Sequence, residues 1–90
     1  MKFNYCFTKN AQLLAERGLG FEEIIEEINN GNLITIKLHH NQVKYPGQKI
    51  MYVRCMRHVY LVPYVTESNE TLFLKTLFPS RKATKEYLSI

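Results

Sequence analysis

Hydrophobic and polar positions divide the chain into a helical first part and a strand-rich second part. Apolar residues recur at Phe21, Ile24, Ile25 and Ile28, and glutamates fill the positions between them. This i, i+3, i+4, i+7 spacing is typical of an amphipathic helix that buries one face. We therefore predict a helix over residues 21–30, with its glutamates on a solvated face rather than in a metal or acid–base cluster.

Two shorter elements precede this helix. Alternate aromatic residues over 2–7 predict a strand with one apolar face. Thr8 is a suitable N-cap for a helix over 9–17, and Gly18 suits the position after its C-terminus. The first part of the chain is thus predicted to run strand, helix, helix.

The second part of the chain has the composition of β-structure, with many branched and aromatic residues. We predict four strands in it, over Leu33–Leu38, 49–56, 59–66 and 72–78. Arg57 and His58 would form the turn of a hairpin between the second and third of these strands. Pro63 implies an edge position or a bulge, since proline has no N–H to donate to a sheet. For the same reason, Pro79 is expected to end the last strand.

Ser80 and Thr84 are candidate N-caps for a short basic helix over residues 82–88. The predicted order is then β-α-α-β-β-β-β-α. We expect an α+β fold in a single domain over residues 1–90, with two N-terminal helices packed on an antiparallel sheet of four or more strands and a short C-terminal helix. The apolar stripe of the 21–30 helix should pack against Leu61, Leu72 and Leu74.

Composition is that of a small soluble protein. The 90 residues are 46% hydrophobic, which suits one modest core and argues against disorder. No apolar run approaches the length of a membrane span and no signal peptide is recognisable, so we expect a cytoplasmic protein with no membrane partner. Cys6 and Cys55 form no CxxC pair and are interpreted as buried, reduced thiols.

Charge is distributed unevenly along the chain. Residues 1–36 carry three basic residues and five glutamates, whereas residues 37–90 carry nine basic residues and three glutamates. A basic sheet half suggests a polyanion or an acidic partner on one side of the molecule. A solvated basic surface without a partner is the alternative that charge alone leaves open.

Familiar catalytic and metal-binding patterns are absent from the sequence. It has no P-loop, no Gly-x-Ser-x-Gly and no Asp, so a Ser–His–Asp triad is excluded. His39 and His40 are adjacent and would face opposite sides of a strand, and His58 has no ligand at chelating spacing. We predict neither a metal nor another cofactor.

A mixture of basic and aromatic residues lies on the predicted strands. Cations meet phosphates and aromatic faces stack on unpaired bases, so this mixture is typical of RNA binding. Candidate RNA-binding residues are Lys44, Tyr52, Arg57 and Lys82. A metal-free site can also cleave RNA, if a base deprotonates the ribose 2′-OH, a cation stabilises the phosphorane and an acid protonates the leaving oxygen.

Two segments resemble BrnT-type toxins. Arg-Gly-Leu-Gly-Phe-Glu-Glu at 17–23 is similar to the Lys-His-Gly-Val-Ser-Phe-Glu-Glu region of that family, and Ser-Arg-Lys-Ala-Thr at 80–84 is similar to its C-terminal Ser-Ala-Arg-Lys-Ala-Thr. The family is similar to the RelE/ParE-like superfamily of toxins from bacterial type II toxin–antitoxin modules. The resemblance therefore implies a RelE-like fold and an endoribonuclease toxin that inhibits translation by cleaving RNA.

The resemblance also implies roles for particular residues. Arg81 matches the family's C-terminal arginine. Gln-Lys-Ile at 48–50 resembles its Glu-x-Arg-aromatic strand start, with Lys-Tyr at 44–45 as an alternative match. The family usually has arginine where this chain has Thr76, and the cation here is Lys75, one residue earlier. A slip of one residue along a strand moves a side chain to the other face of the sheet.

We expect one catalytic site, where the strands that carry Lys49, Arg54 and Lys75 end near Arg81. Arg81 would hold the scissile phosphate through its paired donors, and Lys49 or Arg54 would neutralise the phosphorane. His58 is the candidate acid or base, because imidazole is the side chain that titrates nearest neutral pH. A lysine in that role, or no base at all, are the alternatives.

Two hypotheses for the function follow. The leading one is a toxin neutralised by a cognate antitoxin that is acidic, DNA-binding and encoded by a neighbouring gene, with a toxin dimer inside the complex as an option. The alternative is a catalytically silent RelE-like module that binds a protein partner or RNA. It is kept because the family's early Trp-Asp is replaced by Asn-Tyr-Cys at 4–6.

Overall fold

The computed structural model describes residues 1–89. These residues contain six strands and three helices, in the order β1 (Lys2–Tyr5), α1 (Phe7–Arg17), α2 (Phe21–Asn29), β2 (Leu33–Leu38), β3 (Lys49–Cys55), β4 (His58–Thr66), β5 (Thr71–Leu74), β6 (Phe78–Ser80) and α3 (Arg81–Leu88). The strands form one mixed sheet in the order β1-β5-β4-β3-β2, and β6 pairs with β4. The predicted α+β class is confirmed, with every predicted element present.

The prediction of an antiparallel sheet is wrong at the first strand. β1 runs parallel to β5, with Lys2 opposite Thr71 and Tyr5 opposite Leu74, whereas the other pairs are antiparallel. Alternation within a strand reveals which side chains share a face, but it does not reveal the direction of a partner far along the chain. The alternation therefore predicts the first strand but not the strand with which it pairs or the direction of that pairing.

Helix α1 begins at Phe7 rather than at residue 9, because Cys6 and not Thr8 is its N-cap. The backbone N–H of Lys9, and then that of Thr8, stabilise the thiolate and lower the pKa of the exposed Cys6. The helix ends as predicted at Gly18, whose φ of 70° is in the left-handed region that glycine adopts without strain.

The α1–α2 junction explains the helix that follows. The Gly20 N–H donates to the Glu23 carboxylate at 2.7 Å, and Asn10 Oδ1 accepts from the Phe21 N–H at 2.8 Å. These bonds satisfy two donors at the start of α2 that have no partner within the helix. A Cβ at Gly20 would lie 2.5 Å from Asn10 Oδ1 and 3.1 Å from Leu14 Cγ. A side chain at position 20 would therefore displace the Asn10 side chain and remove the acceptor of the Phe21 N–H.

Helices α1 and α2 pack on one face of the sheet, which we call the first face. Phe21 and Ile24 are fully buried there, and Ile25 and Ile28 lie at the margin of the core with Leu72. The core consists of Leu13, Leu19, Phe21, Ile24, Met51, Val53, Cys55, Tyr60, Val62, Tyr64, Leu74 and Leu77. Packing of the α2 stripe near Leu72 and Leu74 is thus confirmed.

Two predictions about buried residues are wrong. Leu61 lies opposite Tyr52 and Phe78, so the alternation of β4 places it on the second face of the sheet, away from α2. The two cysteines are both free, but Cys55 is buried and Cys6 is exposed, because Cys6 begins a helix at the surface.

The β3–β4 hairpin is present, but its turn lies one residue earlier than predicted. Cys55 pairs with His58, which leaves Met56 and Arg57 as the two-residue loop. Met56 has a φ of 57°, a left-handed value that is common in two-residue hairpin loops. His58 is consequently the first residue of β4 and not part of the turn.

The predicted strand over 72–78 is divided by a bulge opposite Pro63. Between the pairs Tyr64–Leu74 and Leu61–Phe78, β4 contributes two residues and the facing segment contributes three. Pro63 accepts a hydrogen bond from the Lys75 N–H at 2.8 Å, and its own nitrogen, which has no hydrogen, points to the same side. The bulge predicted from Pro63 is thus confirmed.

Pro79 does not end the strand as predicted, because it lies within β6 opposite Tyr60. β6 lies at the margin of the sheet, where a proline nitrogen needs no partner. Within residues 1–89, no helix is long and apolar enough to cross a membrane.

Candidate functional site: a groove and a basic notch

Helix α3 covers one end of the second face. Ser80 is its N-cap, as predicted, and accepts from the Ala83 N–H at 3.1 Å. Thr84 is not a cap but lies inside the helix, where its hydroxyl accepts from the Val59 N–H at 2.9 Å and donates to the Ser80 carbonyl at 2.6 Å. Because Thr84 is 9% exposed, this buried hydroxyl fastens α3 to β4.

The rest of the second face forms a concave cavity of about 390 Å³, which we call the groove. An apolar floor, two imidazoles, two tyrosines and three other polar side chains line it: Ile50, Leu61, Pro63, Phe78, His39, His40, Tyr45, Tyr52, Gln48, Lys75 and Thr76. The ring of Tyr52 contacts Tyr87 of α3 edge-on at 5.7 Å between centroids, so α3 borders the groove. A concave, mostly apolar site with a few polar groups is the usual form of a binding pocket.

The loop between β2 and β3 forms one wall of the groove. The Tyr45 and His39 rings are 4.5 Å apart and the His39 and His40 rings 4.6 Å apart, between centroids. Gln42 holds the loop closed, since its Nε2 donates to the carbonyls of His39 at 2.7 Å and Gln48 at 3.1 Å. His39 and His40 are nearly parallel and stacked, whereas the Tyr45 ring is tilted by 43° against His39, so the three rings form one aromatic cluster on this wall.

The bulge at Pro63 decides the positions of Lys75 and Thr76. An extra residue in one strand breaks the alternation of faces, and both side chains line the groove. Lys75 therefore does not lie on the first face, although it is one residue away from Thr76, where the family usually has arginine.

Two further lysines lie against the aromatic rings around the groove. Lys37 Nζ is 5.2 Å from the Tyr52 ring centroid and 5.7 Å from that of Tyr87, and the neighbouring Tyr87 hydroxyl raises the pKa of Lys37. Lys44 Nζ is 5.3 Å from the centroid of Tyr45. The border of the groove is thus positively charged on two sides.

A second cavity, of about 360 Å³, lies beyond the start of α3, and we call it the basic notch. It is lined by Arg57, His58, Arg81, Thr84 and Lys85. Within the described part of the chain its lining contains three cationic side chains and no carboxylate, which makes it a suitable place for an anion.

The structure does not bring the predicted catalytic residues into one site. Lys49 and Arg54 lie at opposite ends of β3, about 16 Å apart along a strand that rises about 3.3 Å per residue. Lys49 pairs with Tyr64 on the first face, whereas Arg54 pairs with Val59 on the second. The expectation of a single site was wrong in this respect, because alternation and strand direction separate residues that are close in sequence.

The nine predicted site residues therefore fall into three groups. Tyr52 and Lys75 line the groove, and Lys44 lies beside its Tyr45 wall. Arg57, His58 and Arg81 line the basic notch. Lys49, Arg54 and Lys82 are exposed and line neither cavity.

Apart from its apolar floor, the groove is lined by five residues that are not among the predicted site residues: His39, His40, Tyr45, Gln48 and Thr76. The sequence suggests metal binding as the function to examine for the two adjacent histidines. Within residues 1–89, no group of three or more His, Cys, Asp or Glu could hold a metal ion. A usable signal was the loop itself, since a ten-residue connection between paired strands that contains three rings is long for a hairpin.

Comparison of the chain with protein-family models, with curated proteins and with solved structures finds no match. The function must therefore be argued from the groove and the notch themselves.

Proposed function

We propose that this chain is a RelE-like toxin of the BrnT type, a metal-independent endoribonuclease that acts on single-stranded RNA. The groove is the observation that carries the proposal. It combines an apolar floor, stacked rings and the Lys75 cation on the open part of the second face. Sites that bind single-stranded nucleic acid combine these same features.

The reaction is a transphosphorylation within the RNA. The ribose 2′-oxygen attacks the adjacent phosphorus, the P–O5′ bond breaks, and the products carry a 2′,3′-cyclic phosphate and a 5′-hydroxyl. Lys75 is placed to stabilise the negative charge of the phosphorane. An imidazole of the groove, rather than His58 in the notch, is placed to transfer the proton.

The test is cleavage of single-stranded RNA by the purified protein, with and without ribosomes, followed by analysis of the product ends. Lys75→Ala should lower the rate about 10²–10³-fold, as loss of one charge-stabilising contact does in comparable sites. Lys2→Ala is the matched control, because this exposed lysine lies on β1 and lines neither cavity. A Lys75→Ala protein that cleaves as fast as the parent would exclude the groove as the catalytic site.

Arg81→Ala decides between the two cavities. The resemblance gives Arg81 the scissile phosphate, and Arg81 is exposed, so its loss should leave the thermal midpoint nearly unchanged. If Arg81→Ala abolishes growth inhibition and Lys75→Ala does not, the chemistry belongs in the notch. If both matter, the RNA runs from one cavity to the other over α3.

A catalytically silent binding module is the second candidate, and one observation favours it. Arg81 and His58 lie in the notch while Lys75 lies in the groove, so the cations and the imidazole that were expected to act together are separated. RNA binding without cleavage, with or without ribosomes, would establish this alternative.

The proposed partner is an acidic antitoxin encoded by a neighbouring gene. β2 is an edge strand that presents the exposed Ile36 and Leu38, and Lys37 lies between them. An antitoxin segment that adds to this edge, or lies across the groove, would cover apolar and basic surface together. Its association should weaken with salt. Failure of the two proteins to co-purify at low ionic strength would argue against the pairing, and the mass of the complex would show whether it contains a toxin dimer.

A further inference from the structure

We propose that the groove contains a subsite for one unpaired nucleobase, which stacks on His40 and presents its Hoogsteen edge to Gln48, with adenine preferred to guanine. This inference rests on the proposed function only in taking RNA as the ligand. It does not require that the chain cleaves the RNA.

The stacking surface is the outer ring of the stacked His39–His40 pair. His39 is half-buried between Tyr45 and His40, and its ring is nearly parallel to that of His40, with an interplanar angle of 24°. The Asn41 N–H donates to His39 Nδ1 at 3.1 Å and fixes this ring. His40 is exposed and lines the groove, so the stack ends at a ring that solvent reaches. A planar base would continue the stack by one step.

Gln48 supplies the second, independent observation. Gln48 is only 8% exposed, yet its hydrogen bonds within residues 1–89 are made by its backbone and not by its side-chain amide. Its backbone carbonyl accepts from the His39 N–H at 2.9 Å and from Gln42 Nε2 at 3.1 Å. Its backbone N–H donates to the Tyr45 carbonyl at 3.2 Å. Among those residues, each side-chain nitrogen or oxygen in a buried position has either a hydrogen-bond partner or contact with solvent. The Gln48 amide therefore keeps some contact with solvent, and Gln48 lines the groove.

An amide distinguishes the two purines when each presents its Hoogsteen edge, which carries N7. It offers one donor and one acceptor side by side, which match the N6 amino group and N7 of adenine. The corresponding edge of guanine presents two acceptors, N7 and O6, so one of them would face the amide oxygen without a hydrogen. The choice of adenine over guanine follows from the side chain and does not depend on the cleavage chemistry.

Charge in the groove suits the phosphate next to the stacked base. Among the groove-lining residues that the structure describes, Lys75 is a cation and none is a carboxylate. Lys44, beside Tyr45, adds a second positive charge at the rim. A base bound on His40 therefore has positive charge within reach of its flanking phosphates and no acidic group to repel them.

The experiment measures binding of short fluorescent oligoribonucleotides that carry 2′-O-methyl groups and cannot be cleaved. Fluorescence anisotropy compares an oligoadenylate, an oligoguanylate kept unstructured by low potassium, and a duplex of the same length. The parent should bind the oligoadenylate at least about fivefold more tightly than the oligoguanylate, as one bidentate pair provides. The duplex should bind more weakly than either single strand, because its bases are paired and stacked on one another.

Four variants separate base stacking, recognition of the base edge and effects outside the groove. His40→Ala should weaken oligoadenylate binding about 5–100-fold, as loss of one base–aromatic stack does. His40→Phe should restore binding, since it retains an aromatic face without a titratable nitrogen. Phe7→Ala, which removes an exposed aromatic ring outside both cavities, is the matched control and should bind as the parent does. Gln48→Leu should remove the preference for adenine, because leucine can neither accept from N6 nor donate to N7.

Outcomes for the inference and for the proposed function are distinguishable. Unchanged binding by His40→Ala, or equal affinity of the parent for single strands and duplex, overturns the base subsite even if the parent cleaves RNA. The predicted affinities without any cleavage of unmodified RNA leave the subsite standing and exclude the endoribonuclease. Absence of parent binding to every single strand overturns both.

Discussion

The buried hydroxyl of Thr84 should be essential to the attachment of α3, and Thr84→Val tests this. Valine has nearly the same shape as threonine but lacks the oxygen that accepts from the Val59 N–H and donates to the Ser80 carbonyl. Val59 is fully buried, so its N–H would be left without a partner away from water. A stranded buried donor costs about 1–3 kcal/mol, and the added methyl regains less than about 1 kcal/mol by burial.

With about 0.5 kcal/mol regained by the methyl, the expected net loss is about 0.5–2.5 kcal/mol of unfolding free energy, or roughly 2–20 °C in the thermal midpoint of a domain of this size. Urea unfolding followed by circular dichroism measures it, with the slope against urea expected to stay constant. Thr84→Ser retains the oxygen and loses one methyl, so it should cost no more than about 1 kcal/mol. If Thr84→Val lies within about 0.5 kcal/mol of the parent, or if Thr84→Ser is equally destabilised, the hydroxyl does not hold the helix.

Three other predictions follow from burial and from shifted pKa values. Ile24→Ala should lower the free energy of unfolding by about 2–5 kcal/mol and Ile25→Ala by less than half as much, because Ile24 is fully buried and Ile25 lies at the core margin; equal losses in urea unfolding would contradict this packing. Burial raises the pKa of Tyr64, so the stabilisation by its neutral phenol is complete below the unfolded pKa of about 10 and is lost as the pH rises through the folded value. The urea midpoint should therefore fall less steeply above about pH 10 in Tyr64→Phe than in the parent, and an equally steep fall would refute the assignment. Cys6 is exposed with a lowered pKa, so a thiol reagent should modify it rapidly in the folded protein and should reach the buried Cys55 only on unfolding; two equally fast reactions would show that Cys55 is accessible.

Local patterns predicted the elements of this fold well, because their causes are local. The four-residue recurrence from Phe21 to Ile28 gave α2 to within one residue of its end. The alternation over Leu33–Leu38 gave β2 with its observed bounds. Pro63 indicated the bulge, since a missing N–H disturbs the ladder wherever it occurs.

The arrangement of the candidate site could be predicted only in part, because it depends on pairing between distant segments. Lys75 lines the groove because the segment opposite Pro63 contains an extra residue. The effect of this extra residue on the faces of the sheet can be seen only when both strands are aligned. Their common strand suggests one site for Lys49 and Arg54. The two residues are five positions apart, however, and an odd spacing places them on opposite faces of the sheet. His40 and Gln48 lie in a loop whose folding onto the sheet leaves no periodic signal.

The most direct test of the central claim is a map of where single-stranded RNA contacts the protein. Amide resonances of ¹⁵N-labelled protein are followed during titration with a 2′-O-methyl oligoadenylate, which binds without being cleaved. The account predicts that the largest shifts occur at groove residues, His40, Gln48 and Lys75 among them. Shifts confined to the notch around Arg57 and Lys85, or an absence of shifts at saturating RNA, would contradict it.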